Sequence, residues 1–325
     1  MVHPDQIFKI VLDTLSRETE PDFRKFVVGS HVAKWFIAAD FVTDAPDRPN
    51  NSFAFTVFPY NAYFEQIQAE IRAASARDIK EVKTVSQNML RYLRASQRFS
   101  FCFISEKNPE WAPDVAAARQ AIDETLGMMR RWRDADRQSD VIKRFEALRE
   151  EARANSFNAK LFGHMVLMNA LAAVVACLLV KHGAPEIIGW FPDRDKMTSA
   201  YKAIALELFS NNLSALCQTM GLDQTRLKVA IGIPGPSNDA EKGLWYDDLI
   251  RVPDYLAGAT AAWDIKGNLL PTNSPKFAEI IRQVLADNPN IALVRLALND
   301  RGLQASRLIL SRKPITSMHL SKTAR

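Results

Sequence analysis

The sequence predicts an α/β fold in which a mixed sheet is flanked by helices and a helical segment interrupts the middle of the chain. Short apolar runs bounded by Pro, Gly, Asn and Asp alternate with longer runs of helical periodicity. Between them, residues 113–155 are dense in Ala, Arg and Glu with few helix breakers, and Leu161–Val180 contains no Asp, Glu, Lys or Arg. Apolar residues make up 47% of the 325 positions and charged residues 24%. That composition excludes a disordered or fibrous chain and supplies a full core.

In chain order, residues 5–18 carry Ile7, Phe8, Ile10, Val11, Leu12 and Leu15, which fits a helix. Lys34–Val42 (KWFIAADFV) and Phe53–Phe58 read as two strands. The loop Thr43–Ser52, rich in Pro, Asp and Asn, joins them, so an antiparallel pair is expected. Asn61–Ala74 reads as a helix, Asp78–Ala95 as a second, and the aromatic run Phe99–Ile104 as a buried strand. Leu161–Val180 is long enough to cross a membrane, but it contains His164 and Asn169, so a buried core helix is expected. Glu186–Phe191 (EIIGWF) is a strand followed by Pro192-Asp193-Arg194-Asp195. Then come a helix at Met197–Met220, a strand at Leu227–Ile233, helices at Val252–Asp264 and Pro275–Ala286, and a strand at Ile291–Leu298.

The formal charge of +5 permits a nucleic-acid partner without demanding one. Cys102, Cys177 and Cys217 are scattered, with no CxxC pair, so neither a zinc ribbon nor a disulfide framework is expected. Met1–Glu20 has no continuous apolar stretch of the kind a signal peptide needs, and a reducing, cytoplasmic setting is the expectation. The Gly232-Ile233-Pro234-Gly235 turn lacks the Gly-Lys-Ser/Thr ending of a phosphate loop. No Gly-x-Gly-x-x-Gly or Gly-x-Ser-x-Gly string occurs, which speaks against a dinucleotide-binding dehydrogenase and an α/β-hydrolase. The five histidines are far apart in sequence. The basic run from Arg130 through Trp132 to Arg137 reads as a solvated helix face, or else as a phosphate-binding strip.

The informative acids lie on apolar elements. Asp40 falls inside the first strand, where a carboxylate is costly unless it is paired, binds a metal or sits at the strand end. Glu81 lies in the string IKEVKTVSQN, and as a helix residue it is either solvated or part of a site. Asp193 and Asp195 follow the EIIGWF strand, as turn formers or as ligands at a strand end. Asp254 precedes a small-residue helix face (Ala257, Gly258, Ala261), where a carboxylate also suits the helix dipole. Four convergent carboxylates hold two divalent cations about 4 Å apart, the arrangement used in phosphodiester cleavage, and oxygen-rich sites favour Mg2+ or Mn2+.

These strings resemble the family called domain of unknown function 3800. The likeness is carried by Asp40 with the Phe53–Phe58 strand, the Lys-Glu-Val-Lys string with Glu81 and Lys83, the strand leading to Asp193, and VPDYLAGA with Asp254. It covers residues 34–107 and 184–265, and it departs from the family where Phe41-Val42-Thr43 follows Asp40 in place of Glu-Ser-Gly. The resemblance implies a ribonuclease-H-like α/β fold and a metal-dependent nuclease cleaving RNA or DNA by a two-metal mechanism. Asp40 would bridge both metals, Glu81 and Asp193 would complete one site each, and Asp254 would help bind the second. Lys83 would orient a phosphate or stabilise charge in the transition state. The expected organisation is an N-terminal helical segment (1–33), the two parts of the core (34–107 and 184–300), a helical insert (108–183) and a basic C-terminal tail (301–325). The alternative is a catalytically silent binding subunit of a larger defence or mobile-element complex, with a protein partner on the helical insert.

Overall fold

The run KWFIAADFV forms a strand because its bulky residues occupy alternating positions on two covered faces. In the computed structural model, which describes residues 4–107, 114–131, 139–232, 244–300 and 302–312, this strand is β1 (Lys34–Val42). It follows helices α1 (Pro4–Glu18) and α2 (Glu20–Ser30), the second of which the sequence periodicity did not single out. After it come β2 (Asn50–Pro59), α3 (Phe64–Ala74), α4 (Gln87–Arg94) and β3 (Phe99–Glu106). The helices α5 (Val115–Met129), α6 (Ser139–Glu151) and α7 (Ala159–Gly183) lead to β4 (Ile187–Pro192). Then follow α8 (Lys196–Ala203), α9 (Ala205–Thr219), β5 (Lys228–Ile231), α10 (Asp247–Ala262) and α11 (Pro275–Ile280). A π-helical turn at Ile281–Leu285, β6 (Ile291–Asn299) and β7 (Gly302–Leu308) complete the described chain.

The seven strands form one mixed sheet in the order β5-β4-β1-β2-β3-β6-β7. β1–β2, β2–β3 and β6–β7 are antiparallel, whereas β1–β4, β4–β5 and β3–β6 are parallel. Every residue of β2 is buried, as expected for a central strand covered on both faces. Trp35, Ile37, Ala39 and Phe41 point to one face and pack with α7 and its neighbours. Phe36, Ala38 and Val42 join the other layer, made by α3, α4, α10 and α11, so Asp40 shares their face.

The uncharged helix α7 is long and apolar enough to span a membrane by length and composition, yet Phe162–Val180 are all buried inside the protein. It packs against α1, α2, α5, α8, α9 and β2, which makes it the central helix of its layer. Asn169 offsets part of the cost of burial by donating to the Met165 carbonyl at 2.8 Å.

Three expectations are corrected. Asp78–Ala95 is not one helix: only Gln87–Arg94 is helical, starting where Ser86 Oγ accepts the Met89 N–H at 3.0 Å. Upstream, the backbone bonds to other elements. The Ile79 N–H donates to Asp254 Oδ2 at 3.0 Å, and the Ile79 and Val82 carbonyls both accept from Lys276 Nζ. Met197–Met220 is broken into α8 and α9 by three consecutive left-handed residues, Tyr201 (φ 51°), Lys202 (φ 57°) and Ala203 (φ 58°). The break accompanies a tertiary anchor, since the Tyr201 ring packs 5.5 Å from Phe157 and its hydroxyl donates to the Asn158 carbonyl. The expected basic tail begins with strand β7, which pairs with β6 over Gly302–Leu308. Arg307 there donates to the Ile291 carbonyl, and Arg312 donates to the carbonyls of Arg282 and Gln283. Residues 313–325 lie outside the described residues.

Candidate functional site

At the carboxyl ends of β1 and β4 the sheet presents a row of small and acidic positions. Asp40 lies opposite Ala54 of β2, which lies opposite Cys102 of β3. Ala39 is paired with Pro192, and the next residue, Asp193, donates its N–H to the Ala39 carbonyl at 2.8 Å. That bond sets Asp193 beside Asp40.

Helix α10 closes the row from above because its underside is made of small residues. A side chain at Gly258 would strike the Phe277 ring at 2.8 Å, so the approach of α11 requires glycine there. Ser52 and Thr260 share a hydroxyl hydrogen bond at 2.7 Å, and Asn50 Nδ2 donates to the Trp263 carbonyl at 2.5 Å. Each such buried bond contributes on the order of 1 kcal/mol and fixes the register of helix on sheet. α10 starts earlier than the periodicity indicates, at Asp247, and carries Pro253 in its interior. Asp254 therefore sits in the helix body over the sheet and not at the N-terminus, and the helix dipole does not account for it.

The chain thus gathers Asp40, Asp193 and Asp254. Asp40 is 4% exposed and Asp254 7%. The Asp40 carboxyl is within hydrogen-bond reach of both Asp193 and Asp254, so it stands between them. Burial, reinforced by the charges of Asp254 and Asp193, pushes the Asp40 carboxyl well above the usual carboxylate range. Burial also raises Asp193, against the Arg194 backbone N–H that it accepts, and pushes Asp254 up to about 6 despite the bond from Ile79. Among the described residues, no three acidic, histidine or cysteine side chains are arranged as a ready cation cage.

The cation facing them is Lys80. Its ammonium loses solvation by burial, but the charges of Asp40, Asp254, Asp193 and Asp78 outweigh that loss and raise its pKa. The turn that presents it is clamped twice, from α10 through the Asp254–Ile79 bond and from α11 through Lys276. The neighbouring charges are already paired: Asp248 takes Arg72 at 2.6 Å and Arg251 at 2.8 Å, and Arg251 reaches Asp78 at 3.4 Å.

Of the site residues read from sequence, the structure brings together Asp40, Asp193 and Asp254. Glu81 and Lys83 are exposed on the turn and the segment after it; Lys80 is exposed as well, but its charge acts on Asp40, Asp193 and Asp254. Asp195 is accounted for separately: its carboxylate caps α8 by accepting the Met197 N–H at 2.7 Å, in a capping box with Thr198. In the basic run, Arg130 is paired with Glu146 at 2.6 Å, and residues 132–138 lie outside the described residues.

No family model matches the chain, and no curated protein and no solved structure matches it either.

Proposed function

We propose that this chain is a divalent-metal-dependent nuclease with a ribonuclease-H-like core, cutting phosphodiester bonds of RNA or DNA at the carboxyl ends of β1 and β4. The observation that carries the proposal is the meeting of buried Asp40 and Asp254 with half-buried Asp193, from three separate elements, in a cluster faced by Lys80. The strand order supports it. β1-β2-β3 is an antiparallel meander, and β4 and β5 are added parallel to β1 on its free side, which is the connectivity of a ribonuclease-H-like sheet. Here β6 and β7 extend that sheet beyond β3.

The donor chemistry suits Mg2+ or Mn2+, and enclosing the ion requires the three carboxylates to reorient. The donor set is made of carboxylate oxygens, which suit hard cations. When the three acids are ionised, one ammonium faces three carboxylates, leaving two negative charges that a divalent ion neutralises. Asp40 would be the shared ligand, with Asp193 to one side and Asp254 to the other. A cation held there supplies Lewis acidity at the phosphoryl group.

The remaining parts are the protein's own. Lys80, kept protonated by the carboxylates, stabilises the charge that develops on the phosphoryl oxygens. Without a cation, burial pushes the Asp254 carboxyl up to about 6, and a divalent ion beside it would favour the ionised form. The Ile79 N–H and Lys276 hold the turn so that Lys80 and Asp254 keep their places. The three cysteines are free and buried, which suits a reducing cytoplasmic setting.

Purified protein with Mg2+ or Mn2+ is expected to cut RNA or DNA, and Asp40→Asn to abolish cutting while circular dichroism and melting show an intact fold. Full cutting by Asp40→Asn removes the proposal. A catalytically silent binding subunit is the second reading, favoured by the absence of a ready cation cage among the described residues and by the outward place of Glu81. Under that reading Ca2+ and Mn2+ leave the melting temperature unmoved.

A further inference from the structure

Beside the carboxylates lies a group of aromatic side chains that the chemistry above does not use. Trp245, just before α10, is 61% exposed, whereas most other large aromatics of this layer are packed away. Its ring is held from behind, with Phe64 at 5.0 Å, Phe191 at 5.1 Å edge-on and Tyr246 at 5.3 Å edge-on. Gln68 Nε2 fixes its backbone by donating to the Trp245 carbonyl at 2.7 Å. The bed under it is built deliberately: a side chain at Gly189 would meet the Phe191 ring at 2.8 Å, and Phe36 stacks edge-on to both Phe64 and Phe191. Tyr63, adjacent to Phe64 in the chain, is 80% exposed.

This bed is continuous with the acidic cluster. Phe191 precedes Asp193 by two residues and lies in the same layer as Ala38, its partner across the sheet. The Tyr246 hydroxyl donates to the Pro192 carbonyl at 3.2 Å, immediately before Asp193. Cations stand in the same stretch: Lys80 faces the carboxylates, Arg194 acts on Tyr246 and Asp247, and Lys196 acts on Asp195. The acids nearest the ring are engaged, Asp248 by Arg72 and Arg251 and Asp247 by the Leu244 N–H.

A rigid, solvent-facing ring next to a site that handles phosphodiesters is a stacking surface for a base, with cations for the backbone beside it. The reacting phosphodiester must also reach Asp40 and Asp254, which are less than a tenth exposed. A base paired within a duplex has no free face to offer Trp245, and a strand that is splayed does. Resting on the nuclease reading, we infer that the substrate is single-stranded nucleic acid, one base of which stacks on Trp245 while the adjoining phosphodiester enters the Asp40–Asp193–Asp254 cluster.

The test uses the full chain carrying Asp40→Asn, so that substrate is bound without being cut. Fluorescence anisotropy reads its affinity for a labelled oligothymidylate and for a blunt duplex of the same length. The single strand is expected to bind more tightly. Adding Trp245→Ala is expected to weaken single-strand binding roughly tenfold, in line with base–aromatic stacking, while Trp245→Phe keeps most of the affinity. Equal binding with and without Trp245→Ala, or equal affinity for both probes, overturns the inference even if the wild-type chain cuts nucleic acid. Trp245-dependent binding by a chain that never cuts supports the inference and removes the catalytic reading instead. Neither binding nor cutting removes both, and Trp245 is then left as an anchor for a protein partner.

Discussion

Replacing Asp254 by Asn separates the charge of the acidic cluster from its shape. The Asp254 carboxyl is pushed up to about 6 from an ordinary 3.8, with burial as the first cause. Between those two values the folded chain holds more protons than the unfolded chain, so this group makes stability fall as pH rises through that window. At about 1.4 kcal/mol per pH unit, the ionised carboxylate costs the metal-free fold on the order of 3 kcal/mol above pH 6. Asparagine removes the charge but keeps an oxygen that accepts the Ile79 N–H, now at 3.0 Å. The metal-free variant is therefore expected to be more stable than wild type at pH 8, by about 1–3 kcal/mol, or roughly 2–4 °C in Tm for a chain of this size. At pH 4 the two proteins should melt nearly together, since the wild-type carboxyl is then protonated. Melting curves in EDTA at both pH values give the comparison. A titration with Mg2+ at pH 8 completes it: wild type gains stability from the ion and the variant gains less, because binding to the folded state stabilises by mass action. A variant less stable than wild type at pH 8, or one displaced equally at both pH values, would refute the reasoning.

Other substitutions divide the site residue by residue. Asp193→Asn is expected to abolish cleavage without lowering Tm, whereas Asp195→Ala removes the cap of α8 and costs about 1 kcal/mol with cleavage retained; paired melting and cleavage assays distinguish the two. Lys80→Ala should slow single-turnover cleavage at least tenfold while leaving the Mg2+-induced rise in Tm in place, and Glu81→Gln and Lys83→Ala should leave both unchanged. Lys202→Gly relieves one residue of the left-handed run between α8 and α9 and is expected to raise stability by up to about 1 kcal/mol in urea unfolding.

The sheet was legible because its strands are short apolar runs whose ends are marked by turn residues. β1 coincides with the Lys34–Val42 run, and the antiparallel pairing across Thr43–Ser52 is as the loop composition predicts. The helical boundaries were less legible wherever a backbone bond goes to another element. Nothing local distinguishes Ile79–Val85 from a helix, since the residues that take its N–H and carbonyls lie at positions 254 and 276. The chain between Tyr201 and Ala203 likewise has no Gly or Pro to announce a break, and the decisive partners of Tyr201 are Phe157 and Asn158. The expected basic tail misleads for the opposite reason: Arg307 and Arg312 read as solvated charge, but their guanidinium groups satisfy carbonyls at 291, 282 and 283.

The same physics explains which site residues showed themselves. Asp40 and Asp254 stand out in sequence because a carboxylate among Phe, Ile, Ala and Leu must be compensated. Asp193 and Asp195 do not separate by that criterion, since both follow an apolar strand. They separate only through backbone direction, one beside Asp40 and one turned back to cap α8. Lys80 carries no such signal, because a lysine on a polar turn is ordinary and its importance comes from what faces it. In Lys-Glu-Val-Lys, helical spacing gives no reason to prefer Lys80 over Lys83. The preference arises once Ile79 is buried and bonded to Asp254, for its neighbour Lys80 is then carried to the rim of the acidic cluster. Burial thus selects the acids from sequence, whereas the cation that balances them is selected by tertiary hydrogen bonds to the backbone beside it.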